Sequence, residues 1–307
     1  MKKILCVLMS CLLFVMAGCS GHSKNLKFGA ADIGGVYYSF ASTFTQLADN
    51  EIDGYTFETK TTAGSVANLR LISDGYIDLA IVQADLLSDA YNATGTFADK
   101  KYQKGYKAVA SLYTECCQIV VRKDSGITGI DDLINKTVSV GASESGTEKN
   151  AEQILKMSGI TDELINKVNM DYTEAAEKLK AGEIDAFFCT AGTRTEVIGQ
   201  LSKECDICLI SLDDKCIDKM LSAYSLCEKY TIPAGTYNGQ DSDVTTIGVK
   251  AVLIAKQSLS DDVIKNVTKT IYEHADDFKY ATSLDISFDI NTCLLYTSPS
   301  PRDLSTS

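Results

Sequence analysis

Three features of the chain lead to an α/β fold in two similar lobes. Strand-like runs alternate with helix-like runs along most of its length, the usual signature of parallel strands joined by helices. Small, hydroxyl-rich turns recur where strand-like runs end. One segment is also echoed: Gly75-Tyr-Ile-Asp-Leu-Ala-Ile-Val-Gln83 returns as Gly182-Glu-Ile-Asp-Ala-Phe-Phe-Cys-Thr190. In both, a helix stops at glycine, Ile-Asp leads into an apolar strand, and the strand ends on a polar residue.

The elements follow in order. Lys27 to Ala30 reads as a strand, and Val36 to Asp49 as a helix after a glycine loop. Tyr55 to Thr59 is a second strand, followed by a helix from Ser65 to Asp74. Ile77 to Gln83 is a short apolar strand and Asp85 to Tyr91 a helix. Leu112 and Cys117 to Arg122 continue the strands. A second set begins with a short helix at Ile130 to Ile134 and a strand at Thr137 to Val140. Thr147 to Met157 is a helix, Val168 to Asp171 a strand, and Glu174 to Ala181 a helix. Cys205 to Ile210 reads as a strand. From Tyr230 the chain returns, with Thr246 to Ala255 as a strand and Asp261 to Tyr280 as one long helix.

The start of the chain reads as an export signal. Lys2 and Lys3 precede an apolar run from Ile4 to Val15, too short to span a bilayer comfortably. Met16-Ala17-Gly18-Cys19 has the form of a bacterial lipobox, so residues 1–18 would be removed and Cys19 acylated. An ordinary signal with a chance cysteine is the alternative. Residues 19–25 then form a tether, and the protein is expected outside the cytoplasmic membrane, held there by lipid. Residues 26–118 and 235–292 would form the first lobe and 119–234 the second. Residues 293–307 look foreign: Pro299 and Pro301 are two of only three prolines, and the stretch resembles translated sequencing adaptor, with a genuine disordered tail as the alternative.

Net charge is −12, from 29 basic and 41 acidic residues. That balance argues against nucleic acid as a partner, since nothing would neutralise a row of phosphates. The expected domain holds Cys116, Cys117, Cys189, Cys205, Cys208, Cys216 and Cys227. An odd number leaves at least one without an intramolecular partner. Cys205-x-x-Cys208 admits a redox pair or half of a metal site. It falls on a strand-like run, however, where a thioredoxin-type motif needs a helix start, and this favours buried or disulfide-bonded cysteine. No metal site or cofactor is expected.

The candidate site is a set of loops at strand ends, where open α/β sheets bind ligands. Gly34-Gly35-Val36-Tyr37-Tyr38 opens one helix, and Gly35 lets backbone approach a ligand. Thr62-Ala63-Gly64-Ser65-Val66-Ala67-Asn68 repeats the arrangement, with Ser65 a plausible cap. Ser143-Glu144-Ser145-Gly146-Thr147 and Thr190-Ala191-Gly192-Thr193 supply two more turns. Helix-start N–H groups and hydroxyls can hold an anion without a paired cation, so a small carboxylate is the expected ligand. Arg194 is the best-placed arginine for a charge at the site, ahead of Arg70 and Arg122, while Tyr37, Tyr38, Tyr113 and Tyr237 could supply walls and hydroxyls.

These stretches together resemble the solute-binding proteins of TAXI-type TRAP transporters. The matching segments are Gly34 to Tyr38, Thr62 to Leu71, Ile81 to Asp85, Leu112-Tyr113, Val120 to Ile127, Val140 to Thr147, Thr190 to Gly192 and Thr231 to Asp241. They run in family order across residues 26–290. The resemblance implies a periplasmic-binding-protein-like fold of type II, with two lobes, a hinge and a central ligand cleft. It also implies delivery of a small anionic solute, such as glutamate, glutamine or 2-oxoglutarate, to TRAP membrane subunits. Carried onto this chain, Gly35, Val36 and Tyr37 form one ligand loop, and Gly64, Ser65 and Asn68 a second wall. Gln83 lies at the floor, Thr190, Ala191 and Gly192 close from the other lobe, and Tyr237 covers the mouth. Ser145 and Arg194 are further candidates. Two departures bear on the solute: Thr193-Arg194 follows the Thr-Ala-Gly turn, and Ala142-Ser143 stand where prolines are common.

An enzyme is the rival class. A serine hydrolase needs a base, and the only histidines are His22 in the tether and His274 in a late acidic helix. No G-x-S-x-G elbow or phosphate loop occurs, and Asp241-Ser-Asp243 falls short of a calcium loop. A sensor lipoprotein presenting ligand to a signalling receptor would use the same fold. Strands near Cys117 to Arg122 and near Thr231 to Gly235 are the expected hinge.

Overall fold

The structure, a computed structural model, describes residues 23–99 and 104–284. The expected signal, Cys19, the first part of the tether, the segment 285–292 and the tail 293–307 lie outside the described residues.

In chain order, the first elements are β1 (Lys24–Gly29), α1 (Val36–Glu51), β2 (Tyr55–Lys60), α2 (Ser65–Ser73), β3 (Leu79–Gln83) and α3 (Ala84–Asn92). Then come β4 (Tyr106–Arg122), β5 (Thr137–Ser139), α4 (Gly146–Ser158), β6 (Asn166–Val168), α5 (Tyr172–Ala181) and β7 (Ala186–Ala191). The chain continues through α6 (Glu196–Glu204), β8 (Ile207–Leu209), α7 (Asp214–Ala223), β9 (Cys227–Ile232), β10 (Val244–Lys256), α8 (Asp261–Glu273) and α9 (Ala275–Thr282). Helices α6 and α7 fall in stretches for which the sequence reading proposed no helix.

Two parallel three-strand units lie at opposite ends of one mixed sheet, ordered β2-β1-β3-β10-β4-β7-β5-β6. β1 pairs with β2 and β3, and β5 pairs with β6 and β7. Helix α1 buries Val36, Phe40, Ala41, Phe44 and Ala48, a stripe at helical spacing. Phe44 meets Phe28 of β1 and Phe57 of β2 edge-on at 5.4 and 5.5 Å, which locks α1 onto the sheet.

The echoed segments have a structural cause. Gly75 and Gly182 take left-handed backbone, φ +82° and +76°, to end α2 and α5. Tyr76 N donates to Leu71 O and Glu183 N to Lys178 O, both 2.9 Å, the closing bonds of the same helix-stop motif. The aspartate that follows then staples the neighbouring parallel strand. Asp78 accepts from Lys27 N at 3.0 Å and Asp185 from Thr137 N at 2.8 Å. The same local chemistry therefore docks β3 on β1 and β7 on β5.

Two long antiparallel strands run through both lobes. β4 pairs with β10 as far as Cys116 and with β7 from there to Val121. β10 pairs with β9 over Val244–Val249 and with β3 over Ala251–Ala255. Register shifts in β10 after Ala251 and Leu253 add local twist close to this change of partner. The strands thus pass between lobes near Tyr113–Cys116 and Gly248–Ala251. Both expected crossings are corrected: Cys117 to Val121 already pairs with β7 in the second lobe, and Thr231 and Ile232 close β9, which pairs with β10.

The expected helix from Asp261 to Tyr280 is broken at His274, which takes φ −111° and ψ 29°. Its ring bridges Asp277 (2.8 Å) and Glu51 of α1 (2.5 Å), and the bend lets Phe278 stack on Phe40 at 4.4 Å. All seven cysteines of the described residues carry free thiols, five of them buried. Burial pushes the Cys117 and Cys227 thiols up to about 12, far from a reactive thiolate.

Candidate ligand-binding site

The four turns singled out in the sequence meet between the lobes. A cavity of about 40 Å³ is lined by Gly35, Val36 and Tyr37 at the start of α1, Gly64 and Ser65 at α2, and Gln83 at the end of β3. Ser145, Gly146 and Thr147 at α4 and Thr190 and Ala191 at the end of β7 face them from the other lobe. The space amounts to roughly three water molecules, so a larger solute enters only with the lobes further apart.

Local sequence explains the frame. Gly35 and Gly64 occupy the N-cap positions of α1 and α2 and, having no side chain, place no oxygen over the first-turn N–H groups. Gly64 also takes φ +119°, and a Cβ there would lie 3.5 Å from the Ser145 backbone of the other lobe. In α4 the arrangement differs: the Ser145 hydroxyl caps its own helix, accepting from Glu148 N at 2.9 Å.

The floor carries a buried acid, with further carboxyls around it. Glu115 of β4 is 2 % exposed and accepts a 2.7 Å hydrogen bond from the Tyr37 hydroxyl. Burial raises its carboxyl to about 8, opposed by hydrogen bonds from Tyr37 and Gln83 and reinforced by Asp85. Asp85, at the start of α3, is raised to about 6 by burial, and neither of its oxygens has a hydrogen-bond partner of sound geometry. Asp32 is raised by burial first and then by Asp171 beside it. On the far wall Tyr172 donates to Thr190 O at 3.0 Å, so the Thr147 hydroxyl must donate to Tyr172 across 2.6 Å. Thr147 in turn accepts from Thr190 N at 3.1 Å, which holds the β7 turn in place.

Polar contacts close the lobes around this space. Ala67 N donates to Glu144 O at 3.1 Å, and Arg70 grips the Glu144 carboxylate with Nε at 3.2 Å and Nη2 at 2.6 Å. Gln83 Nε2 donates to Asn150 Oδ1 at 3.0 Å, and Tyr172 N to Asp32 Oδ2 at 2.9 Å.

Asn68, Tyr237, Gly192 and Arg194 lie outside the lining, as do Tyr38 and Tyr113. Asn68 is fully buried beneath it and donates to Ala30 O (2.7 Å) and Ile81 O (2.9 Å), tying β1 to β3. Tyr237 is buried, donating to Gln118 Oε1 at 2.6 Å and accepting from Thr195 N at 3.1 Å, rather than covering the mouth. Gly192 packs against Leu284. Arg194 lines an adjoining groove with Lys203 and Gln200, which shares Gly35 and Val36 with the cavity. Sequence reasoning in turn passed over Asp32, Glu115, Asp171 and Tyr172. Only Glu115 carries a signal, a lone carboxylate within an apolar strand.

A family model described as the NMT1-like family matches residues 28–301. The chain belongs to the NMT1-like family. That match runs past residue 293, where the foreign tail was expected to begin. Among solved structures, this family member is similar to the periplasmic binding protein BugD, with TM-score 0.59 and 11 % identity over 88 % of this chain and 91 % of that one. It is similar also to a Listeria monocytogenes structure described as an L-cystine ABC transporter, with TM-score 0.54 and 13 % identity over 85 % and 94 % of the two chains. A third is the alkanesulfonate-binding protein SsuA of Xanthomonas axonopodis pv. citri, solved with MOPS, with TM-score 0.50 and 12 % identity over 90 % and 84 %. At such identities the likeness establishes the fold, which is that of periplasmic binding proteins.

Proposed function

We propose that the chain is the extracytoplasmic solute-binding component of a membrane transporter, closing two lobes on a small polar solute and presenting it to membrane subunits. The observation that carries this reading is the cavity itself: equivalent helix-start turns from two lobes converge on one space, and among the described residues only the long strands β4 and β10 run through both. Such a layout lets the lobes part and close by small changes near Tyr113–Cys116 and Gly248–Ala251. The family and the fold of its structural relatives support the reading, as do binding-protein descriptions such as BugD and SsuA.

On the TAXI resemblance the membrane partner is a TRAP permease and the solute a small carboxylate, held by first-turn N–H groups of α1 and α2 with the Ser65 hydroxyl. The ABC description of the Listeria structure favours a second reading, in which an ABC permease receives the solute. Acylation of Cys19 would hold the receptor at the membrane.

Calorimetry of the purified protein against glutamate, glutamine, 2-oxoglutarate and C4-dicarboxylates tests the core claim, with X-ray scattering to follow closure. Heat with a decrease in radius of gyration is expected for at least one solute; no heat from any of them removes the carboxylate proposal. Reconstitution with each permease type separates the two partners, and Cys19→Ser should move the protein from the membrane to the soluble fraction.

A further inference from the structure

We propose that Glu115 and the Gln83 side-chain oxygen form a seat for a primary ammonium group, so that the cleft selects an amine-bearing solute over an acid that lacks one. This rests on the receptor reading above and narrows its ligand class.

The charged side chains lining the cavity are Asp32, Glu115 and Asp171, and no lysine, arginine or histidine is among the lining residues. Arg70, the arginine at the lobe junction, is turned to Glu144. The expected anion trap is therefore acidic on its floor. Gln83 adds an independent sign. It is 2 % exposed, lines the cavity, and its Oε1 has no hydrogen-bond partner. Its Nε2 donates to Asn150 Oδ1 at 3.0 Å, and Asn150 Nδ2 donates to Gln153 Oε1 at 3.3 Å. An amide oxygen only accepts, and a buried acceptor left alone is costly. An ammonium carries three N–H donors and a positive charge, which suit both an amide oxygen and a carboxyl lining one cavity.

The groups around Glu115 leave the positive charge to the solute. Tyr37 of α1, Tyr113 and Cys116 of its own strand and Cys189 of β7 are buried and Tyr172 of α5 is half-buried, which raises the pKa of each and keeps them neutral. Asp85 of α3 and Asp32 of the β1–α1 turn contribute only carboxyls. Without solute, Glu115 is mostly protonated at neutral pH. An ammonium favours the carboxylate, so binding sends the Glu115 proton to solvent and leaves a carboxylate–ammonium pair. Affinity for an amine must then rise with pH up to about 8 and level off above it. A solute presenting a second carboxylate to this spot would reverse the sign, taking up a proton and binding more weakly as pH rises.

The test uses pairs of acids that differ in the amine: glutamate against glutarate, and alanine against propionate. Each is titrated calorimetrically at pH 6.5 and 8.0, in two buffers of different ionisation enthalpy. The amine-bearing member should bind more tightly, release a proton at pH 6.5, and gain on the order of tenfold in affinity by pH 8.0, following the ionised fraction of a group near 8. Glu115→Gln should abolish both the proton release and the pH slope. Equal or tighter binding of the amine-free acid, or proton uptake on binding, overturns the proposal while leaving the receptor reading intact. Binding by no member of either pair overturns the proposal together with the small-carboxylate reading. The buffer series on the unaltered protein decides the matter even if the variant fails to fold.

Discussion

Replacing Gly146 with alanine tests whether the cavity closes through the contact between Gln83 and α4. Gly146 begins α4, and a Cβ built there would lie 2.4–2.7 Å from the side-chain Cδ, Oε1 and Nε2 of Gln83, closer than real contacts allow. Its backbone is not in the left-handed region, so alanine causes no local strain, and its helix preference adds no more than about 1 kcal/mol. The open protein should therefore fold as well as before. Closure instead requires the Gln83 carboxamide to move and to give up its 3.0 Å bond to Asn150, leaving buried polar groups unpaired. That costs about 1–3 kcal/mol, roughly a 5- to 150-fold loss of solute affinity. Calorimetry gives the affinity, scattering the degree of closure, and a thermal melt checks the fold. Full affinity with a normal melt would refute the argument, because the lobes would then close without this contact.

Three further outcomes follow. Asn68→Ala should lower stability by about 2–4 kcal/mol through its lost buried bonds, on the order of 10 °C in melting temperature; a variant that melts normally but fails to bind would return Asn68 to the site. Glu144→Gln should weaken binding no more than about fivefold, because the Arg70–Glu144 side chains remain 34 % and 43 % exposed. High salt should erase the difference, and a salt-independent loss would point to another role. Asp85, near 6, and Glu115, near 8, hold protons in the folded state that the unfolded chain releases at lower pH. Stability should accordingly fall as pH rises from about 4.5 to 8 and flatten beyond; melts across that range read the slope, and Glu115→Gln should remove its upper part.

Much of the architecture was legible because its signals are local. Glycine after a helix, Ile-Asp before an apolar run, and small-residue turns act within a few residues of themselves, and the paired Asp78 and Asp185 staples give the repeated pattern a physical cause. The long helix broken at His274 was misread because its apolar spacing continues through the bend. What redirects the chain is Phe278 stacking on Phe40 and the histidine reaching Glu51, partners more than two hundred residues away. Asn68 shows the same limit. One turn into a helix, its sequence context is the same whether the amide faces solute or the carbonyls of β1 and β3.

From the chain alone came an alternating α/β protein with two related halves and four donor-rich turns, since hydrophobic period and turn chemistry depend on neighbouring residues. Tertiary structure alone decided which polar groups share a space. Asp32, Glu115 and Tyr172 come from a turn, a through-running strand and a helix, and they meet only because β4 carries Glu115 beneath the junction of the lobes. The electrostatic character of the cavity is a sum over groups distant in sequence, and burial sets the weight of each.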